Sequence, residues 1–489
     1  PSKTKLFMHA VQFAPIEAVC ILSQRRGFNV NQTNKNGDTA LHLAAAQYRL
    51  DVIQVLLACD GIDVHLMNVH GTTVLMAMMP TLYSTNRVVA FVERLQCVEA
   101  LFRTHNDSTL INHKNEHGHT ALSLLLLYIS NEQGKSKTRS SKSQVAFSNL
   151  VTTICQHSAL DVNVDLPCSE HFGSLDSEVD GDSLTRFKGL SFSFQSLPAV
   201  SWVLALDLTD AARVLLRRSG SEIHMSKAPP IMFAVAFALA DIVREMCQRP
   251  GVGLDSIRHE TTGDTLLHMA AKQGRVDTLD VLLEFSSFDV NAVNNVGDSV
   301  FVVALALLLG HNAKLLQNKD KTDAQNVVER LLPIVDVNRV DKDGRTPLEI
   351  LFRASKVTHN RRAHASIDTL ASTLCQLAQL DINKTLLPDE DQTWALSWAM
   401  RFHLPKTVEA IVTRRDVEGI DVACENGLTP LQWTIEQGET QIVRQLCTRD
   451  DVDVNRLNSV RICDTKQELH VGGGVVGRPN TPVPCCPNC

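Results

Sequence analysis

Small and aliphatic residues recur at helical spacing in two short stretches that follow Gly37. The apolar positions are Leu41, Ala44 and Ala45 in the first stretch and Val52, Val55 and Leu56 in the second. Both patterns predict short helices. Thr39 stands where a side chain can cap the first helix, and Gly37 stands where a tight turn needs a positive φ. One such helix pair cannot bury its own apolar face, so we expect it to stack on neighbouring pairs.

The same pattern returns further along the chain. One copy, GDTALHLAAA, begins at Gly37, and a second, GDTLLHMAAK, begins at Gly263. The turn glycines Gly37, Gly71 and Gly118 correspond to Gly263, Gly297 and Gly344, each pair being 226 positions apart. The spacing therefore indicates a duplicated block as well as a short repeat.

These repeats define the predicted domain organisation. We expect a partial N-terminal repeat at 1–31, repeat block one at 32–255, repeat block two at 256–463 and a disordered Gly/Pro/Cys tail at 464–489. Each block would hold five units, which makes about ten repeats. The chain starts at Pro1 without a methionine, so we also expect it to be a fragment or a processed form of a longer protein.

The marks of one unit are Gly-x-Thr-[Ala/Pro]-Leu-His, a later Leu-Leu pair and an [Asp/Asn]-Val-Asn ending, and together they resemble the ankyrin repeat. The resemblance implies an all-α repeat solenoid of helix–turn–helix units joined by short β-hairpin-like finger loops. It implies protein–protein binding on the concave face and the finger tips. It also implies that His42 and His268 form hydrogen bonds between neighbouring repeats.

Residues at the predicted finger tips differ from unit to unit, whereas the core positions do not. Specificity for a partner protein is therefore expected from tip residues and from exposed positions of the first helices. The candidates at the tips are Lys35, Asn36, His70, Glu116 and Asn295.

Two basic insertions occupy equivalent places in the two blocks, between the helices of a unit. Their basic residues are Lys135, Lys137, Arg139 and Lys142 in the first and Lys356, Arg361 and Arg362 in the second. They are either a paired docking or phosphorylation element or solvated loops with incidental charge. Solvated loops are the simpler interpretation.

Composition excludes several classes of protein. A net charge of −7 and an aromatic content of 5% do not suit a protein that holds nucleic acid. The longest apolar run, Val300 to Leu309, is ten residues, and a membrane helix needs about 20. Most of the 13 cysteines are scattered singly through apolar segments, which is typical of reduced thiols, so we expect a cytoplasmic protein.

No group of residues predicts catalysis or a bound cofactor. We find no nucleophile elbow, HExxH or kinase-type motif, and we expect neither an enzyme nor a small-molecule substrate. His113, His117 and His119 lack the spacing of a designed metal site. Cys486 and Cys489 form half of a tetrahedral zinc site, which is either the start of a zinc module or a non-native end.

The leading hypothesis is a non-enzymatic interaction scaffold or adaptor. An alternative is a fragment of a larger multidomain adaptor whose effector module lies outside this chain. The units around Trp202 and Trp398 are loosely similar to repeats of endosomal trafficking proteins that carry a lipid-binding zinc finger. A third possibility, an enzyme that captures substrate with the array, requires a catalytic domain outside these residues.

Overall fold

A computed structural model shows a mainly helical chain. The residues it describes are 3–25, 29–80, 89–105, 107–135, 141–163, 165–167, 196–218, 229–237, 239–249, 253–285, 288–309, 318–357, 361–384, 395–423 and 427–456. The chain divides into two compact units, Pro1–Ile350 and Leu351–Cys489. The block boundary expected from the sequence, after residue 255, falls inside the first unit, and the expected tail 464–489 lies outside the described residues.

Helices make up most of the first unit. They are α1 (Lys3–Phe13), α2 (Ile16–Ser23), α3 (Ala40–Ala46), α4 (Leu50–Leu57), α5 (Val74–Ala77), α6 (Val89–Thr104), α7 (Ser108–Asn112), α8 (Ala121–Lys135), α9 (Ser141–Gln156), α10 (Ala199–Ala205), α11 (Thr209–Arg218), α12 (Pro230–Ala236), α13 (Ala240–Cys247), α14 (Leu266–Lys272), α15 (Val276–Leu283), α16 (Val300–Leu309) and α17 (Asn318–Leu331). Two short strands, β1 (Asp165–Pro167) and β2 (Ser196–Pro198), pair antiparallel.

Helix α18 (Pro347–Val357) begins in the first unit and ends in the second. The second unit continues with α19 (Arg361–Gln376), α20 (Ala395–Arg401), α21 (Pro405–Thr413), α22 (Pro430–Gln437) and α23 (Thr440–Cys447). At the other end of the chain, α1 and α2 form a helix pair where the sequence predicts only a partial unit.

First helices pack on first helices and second helices on second helices, which is the packing of a repeat array. In the first unit α3 packs on α1 and α5, and α4 packs on α2 and α6. In the second unit α20 packs on α22, and α21 packs on α19 and α23. One apolar position in the first helices is buried throughout and is occupied by Leu41, Leu75, Leu122, Leu267, Phe301, Leu348 and Leu431. The all-α repeat fold predicted from the sequence is confirmed.

A hydroxyl side chain begins most of the first helices. Thr39, Thr73, Thr265 and Thr429 each accept a hydrogen bond from the backbone amide three residues later. This bond satisfies one of the amide groups that have no partner inside a helix. The capping role predicted for Thr39 is confirmed, and His42 completes the cap because its ring accepts from the Thr39 amide.

The basic insertions are partly helical, so the expectation of plain solvated loops is wrong for the residues nearest the helices. Helix α8 continues to Lys135, and α9 includes Lys142. Helix α19 begins at Arg361, which is exposed, and continues through Arg362. Helices α9 and α19 have 16 residues where α4 and α15 have eight. Lysine and arginine are good helix formers, so a basic extension lengthens a helix readily.

Arg218 stabilises a unit that lacks the turn glycine. Its guanidinium donates from Nη1 to the carbonyl oxygens of Cys155 and His157, at 2.6 and 2.7 Å. It donates from Nη2 to those of Ser158 and Leu160, both at 2.9 Å. Carbonyl groups at the end of a helix lack partners and carry partial negative charge, so Arg218 of α11 caps the carboxyl end of α9.

The same device recurs elsewhere in both units. In the second unit, Arg414 donates to the carbonyl oxygens of Cys375, Leu377 and Leu380 at 2.8–2.9 Å. Arg449 binds the carbonyl oxygen of Val412 at 3.0 Å. In the first unit, Arg49 binds those of Val11 and Ala14, and Arg249 binds that of Leu216. We call Arg49, Arg218, Arg249, Arg414 and Arg449 the arginine clamps. Each ties the end of one helix to the previous helix pair.

Cysteine reactivity is expected to follow burial. Burial raises the pKa of the Cys97, Cys155 and Cys375 thiols to about 12, whereas Cys447 is exposed. Only the thiolate is nucleophilic. Iodoacetamide at pH 8 should therefore alkylate Cys447 in the folded protein and the three buried cysteines only after unfolding. Mass spectrometry of the digested protein measures this, and rapid native labelling of Cys155 would contradict the packing described here.

Candidate functional site

Five finger turns share one local structure, built on an asparagine or aspartate three residues before the turn glycine. In the first finger the Asn34 Oδ1 accepts from the amides of Asn36 and Asp38, at 2.8 and 2.9 Å. The same two bonds form at Asn68, Asn115, Asn294 and Asp341. A side chain that binds backbone amides in this way fixes a turn without a strand partner. The tips are therefore rigid.

Turn glycines allow neighbouring fingers to approach closely. Gly37 has a φ of +78°, and a Cβ atom there would lie 2.9 Å from the backbone nitrogen of Val69 in the next finger. Gly263 has a φ of +67°, and its Cβ would lie 2.8 Å from the nitrogen of Asn295. The positive φ predicted at Gly37 is confirmed. The turn needs glycine for its conformation and the finger contact needs it for space.

Backbone hydrogen bonds join one finger tip to the next. The Val69 amide donates to the Asn36 carbonyl at 2.9 Å, and the Glu116 amide donates to the His70 carbonyl at 3.3 Å. Further along, the Asn295 amide donates to the Thr262 carbonyl at 2.9 Å. We call the joined turns 34–37, 68–71 and 115–118, together with 259–263 and 294–297, the finger row. All of it lies in the first unit.

Half-buried and buried side chains link neighbouring fingers next to the tips. The Asn68 Nδ2 donates to Asp38 at 3.0 Å, and the Asn294 Nδ2 donates to Asp264 at 2.8 Å. Burial by itself would raise the pKa of Asp264, but hydrogen bonds from Asn294 and Thr262 and the charge of Lys272 hold it below its ordinary value. The carboxylate is therefore ionised at neutral pH and keeps its bond to the next finger.

His42 and His268 make the hydrogen bonds between repeats that the ankyrin resemblance implies. The Nε2 of His42 donates to the Thr72 carbonyl, and that of His268 donates to the Asp298 carbonyl, both at 3.0 Å. Burial lowers the pKa of both imidazoles, although the bound carbonyl groups and nearby aspartates oppose the shift. Both rings are therefore neutral at pH 7, which confirms a structural role.

Acid is expected to destabilise the array through these two residues. Their folded-state pKa lies below the ordinary value of 6.5, so the unfolded chain binds more protons below pH 6.5. The free energy of unfolding should therefore be at its full value above pH 6.5 and fall as the pH drops towards 5. Urea denaturation across this range measures the slope. The double variant His42→Gln/His268→Gln should have a smaller slope, because glutamine does not titrate. Glutamine also suits the fold, since Gln432 already fills the equivalent position after Gly427. An unchanged slope would contradict the assignment.

The tip residues predicted from the sequence are all exposed. They are Lys35, Asn36, His70, Glu116 and Asn295. His70 and Glu116 belong to adjacent fingers, and the His70 Nδ1 lies 2.7 Å from the Glu116 carboxylate. The structure thus brings Asn36, His70 and Glu116 together along the row. Asn295 lies in the later part of the row, beside Thr262.

The basic candidates belong to a different part of the fold. Lys137 and Arg139 lie outside the described residues, and Lys142 and Arg362 lie in α9 and α19. Among the basic residues of the two insertions, Lys356 and Arg361 are seen with exposed side chains. The structure therefore neither joins these residues to the finger row nor assigns them a role.

Among the described residues there is neither a candidate metal site nor a candidate membrane-spanning helix. No group of three or more histidine, cysteine, aspartate or glutamate side chains could hold a metal ion there. His113 instead contacts the Gly71 carbonyl at 3.1 Å. Cys486 and Cys489 lie outside the described residues. None of the helices in the part of the chain that the structure covers is long and apolar enough to cross a membrane.

Comparison with known families agrees with this geometry. A model of ankyrin repeats in three copies matches residues 7–79, and a single ankyrin repeat model matches residues 262–295. The chain is an ankyrin repeat protein. Both matches fall on finger-row segments with the Thr cap and the buried histidine. Ankyrin repeats are generally protein–protein interaction modules rather than enzymes.

Solved structures include a similar chain of low sequence identity. The crystal structure of the human ASB11 ankyrin repeat domain aligns with 60% of this chain and 98% of its own. The sequence identity is 16% and the TM-score is 0.34. No protein of curated function matches the sequence.

Three features of this ankyrin repeat protein were missed by sequence reasoning. The Asn or Asp three residues before five of the turn glycines was a readable signal, since it repeats at the same offset. The arginine clamps had a weaker signal, an arginine at or just after the end of a second helix or, for Arg49, directly before it. Met67 and Val69, which are exposed on the second finger, had none, because aliphatic residues read as core.

Proposed function

We propose that this ankyrin repeat protein is a non-enzymatic scaffold or adaptor that binds a partner protein along the finger row. The observation that supports the proposal is the row itself, in which hydrogen-bonded tips present a different set of side chains in each finger. Rigid tips lose little conformational freedom on binding, so their contacts contribute more fully to affinity. Variation at the tips supplies the specificity.

Exposed positions of the first helices extend the proposed surface. Ala46 of α3 and Lys272 of α14 are exposed, and Leu124 of α8 is half-buried. These positions would provide a second line of contacts beside the finger row. A partner that spans several units would then bury enough area for a stable complex, roughly 800 Å² on each side.

Affinity capture from native cell extract tests the proposal. The baits are the full chain, a finger variant and a matched variant of a second helix. The finger variant carries Lys35→Glu, His70→Ala and Glu116→Lys, and the matched variant exchanges the ion pair of α6 as Glu99→Lys with Arg103→Glu. We expect a stoichiometric partner on the full chain and the α6 variant, and its loss from the finger variant.

A fourth bait addresses the basic segments. It carries glutamate at Lys137, Arg139, Lys142, Arg361 and Arg362. Loss of the partner from this bait alone would move the binding site from the finger row to the paired basic segments. Retention by this bait and loss from the finger variant is the expected result.

We also propose that the protein works in a reducing compartment such as the cytoplasm. The seven described cysteines are free, and three of them are buried as small apolar side chains. This use of cysteine is typical of intracellular proteins. Imaging of the tagged full-length protein would test the location, and an endosomal pattern would favour the larger trafficking adaptor.

A further inference from the structure

The second finger carries an apolar side chain at a tip position that is polar in every other described finger. Val69 is two residues before its turn glycine, and its side chain is 62% exposed. The equivalent residues of the other described fingers are all polar: Lys35, Glu116, Thr261, Asn295 and Lys342. Met67, on the same turn, is 48% exposed. An exposed apolar pair on a rigid turn has no structural task, because neither residue adds to the core.

Lysines flank this apolar pair on both sides. Lys35 belongs to the preceding finger, which the Val69 amide binds through the Asn36 carbonyl. Lys114 belongs to the following finger, which the His70 carbonyl binds through the Glu116 amide. Both lysines are exposed, and in the described part of the chain neither forms an ion pair. The protein as a whole is acidic, so these two positive charges beside an apolar pair are a local exception.

Two acidic side chains lie beside the second finger. Asp38 is one, and it accepts hydrogen bonds from the Asn34 and Asn68 side-chain amides. Glu116 is the other, and it is already engaged. Its carboxylate lies 2.7 Å from the His70 Nδ1 and 3.5 Å from the His117 Nε2. Both contacts are made by one oxygen, Oε1, so the protein's own histidines already hold this side of the carboxylate. The lysine ammonium groups remain the charges that are available to a partner.

From this arrangement we infer that Lys35, Met67, Val69 and Lys114 form a binding site for an acidic, apolar segment of a partner protein. The segment seats a large apolar side chain on Met67 and Val69 and places carboxylates on both sides of it, towards Lys35 and Lys114. The inference rests on the proposed function and specifies the partner chemistry for one part of the finger row. Burial of the apolar contact and complementary charge together define the preferred sequence.

Selection from a random 12-residue peptide library displayed on phage, with the full chain as target, tests the inference. We expect enriched peptides to carry a large apolar residue with aspartate or glutamate on both sides. Binding of the synthetic peptides should weaken at least tenfold in Val69→Asp and in Lys35→Glu/Lys114→Glu. Val69→Thr, which keeps the β-branched shape and removes apolar surface, should weaken it about threefold. Higher salt should weaken binding to the parent protein.

Val296 provides the matched control. It is an exposed valine on another finger tip, 45% exposed. Basic residues lie on both sides of this finger, Arg258 before it and Lys342 after it, but it has no second exposed apolar side chain equivalent to Met67. Val296→Asp should leave peptide affinity within twofold of the parent value. All of these side chains are exposed, so each variant should unfold at the same thermal midpoint as the parent. If Val69→Asp lowers the midpoint, peptide binding by Val69→Thr, the milder substitution, tests the site in its place.

The possible failures of this inference and of the proposed function are distinguishable. Enriched peptides that are basic, or that bind Val69→Asp as well as the parent, would overturn the inference and leave protein binding by the array intact. Peptide binding that depends on Val296 would have the same meaning. A selection that enriches nothing would also count against the inference, and the proposed function would fall with it only if affinity capture also found no partner.

Discussion

Replacing Arg218 by alanine is expected to destabilise the first unit by about 3–5 kcal/mol. The change removes four hydrogen bonds to backbone carbonyl groups, each donated by a charged group. Such bonds contribute roughly 1.5–3 kcal/mol each and are not additive. The carbonyl groups at the end of α9 would also lose their partners inside a packed region, which adds a desolvation cost.

Arg217 provides a control in which a positive charge is removed from the same helix. It precedes Arg218 in α11 and is exposed. Arg217→Ala should change stability by no more than about 0.5 kcal/mol. Urea denaturation measures the loss of stability. Because a repeat array can unfold in parts, hydrogen exchange of α9 and α11 shows whether the loss is located in these two helices. Equal effects of the two substitutions would contradict the role given to the arginine clamps.

Gly37→Ala should have the second-largest effect, a loss of about 2–4 kcal/mol. A residue other than glycine at positive φ costs roughly 1–2 kcal/mol, and the contact with the next finger adds the rest. The new Cβ atom would lie 2.9 Å from the backbone nitrogen of Val69, which is held in place by its own bond to Asn36. The fingers would have to separate.

Gly344→Ala isolates the conformational part of this cost. Gly344 has nearly the same φ, +76°, but a Cβ atom there would meet no atom of another finger within 4 Å. Its substitution should cost only about 1–2 kcal/mol. The difference between the two variants, obtained from urea denaturation, measures the packing of finger on finger. If Gly37→Ala and Gly344→Ala are equally unstable, the finger row is not a packed structure.

Local features of a single repeat could be predicted from the sequence, because they depend on residues close together in the chain. The Thr39 cap, the positive φ of Gly37 and the two helices that follow are of this kind. The bond from His42 to Thr72 spans 30 residues, and the family resemblance implied it. The family resemblance also implied that the finger tips, including His70 and Glu116, are exposed.

Features that depend on the ends of distant helices could not be predicted. Arg218 binds carbonyl groups of residues 58–63 positions earlier in the chain. The extension of α9 and α19 into the basic segments follows from helix propensity, which a charge pattern alone does not show. Exposure of Val69 could not be predicted either, because an aliphatic residue near a turn is as easily core as surface.

Site-specific photo-crosslinking tests protein binding by the finger row most directly. Benzoylphenylalanine is placed one position at a time at Asn36, His70 and Asn295, and for comparison at Gln54 and Arg103 on the second helices α4 and α6. All five side chains are exposed. Irradiation of the complex with the captured partner should give crosslinks from the three finger positions and none from the two helix positions. Crosslinks from Gln54 or Arg103 alone would contradict binding by the finger row.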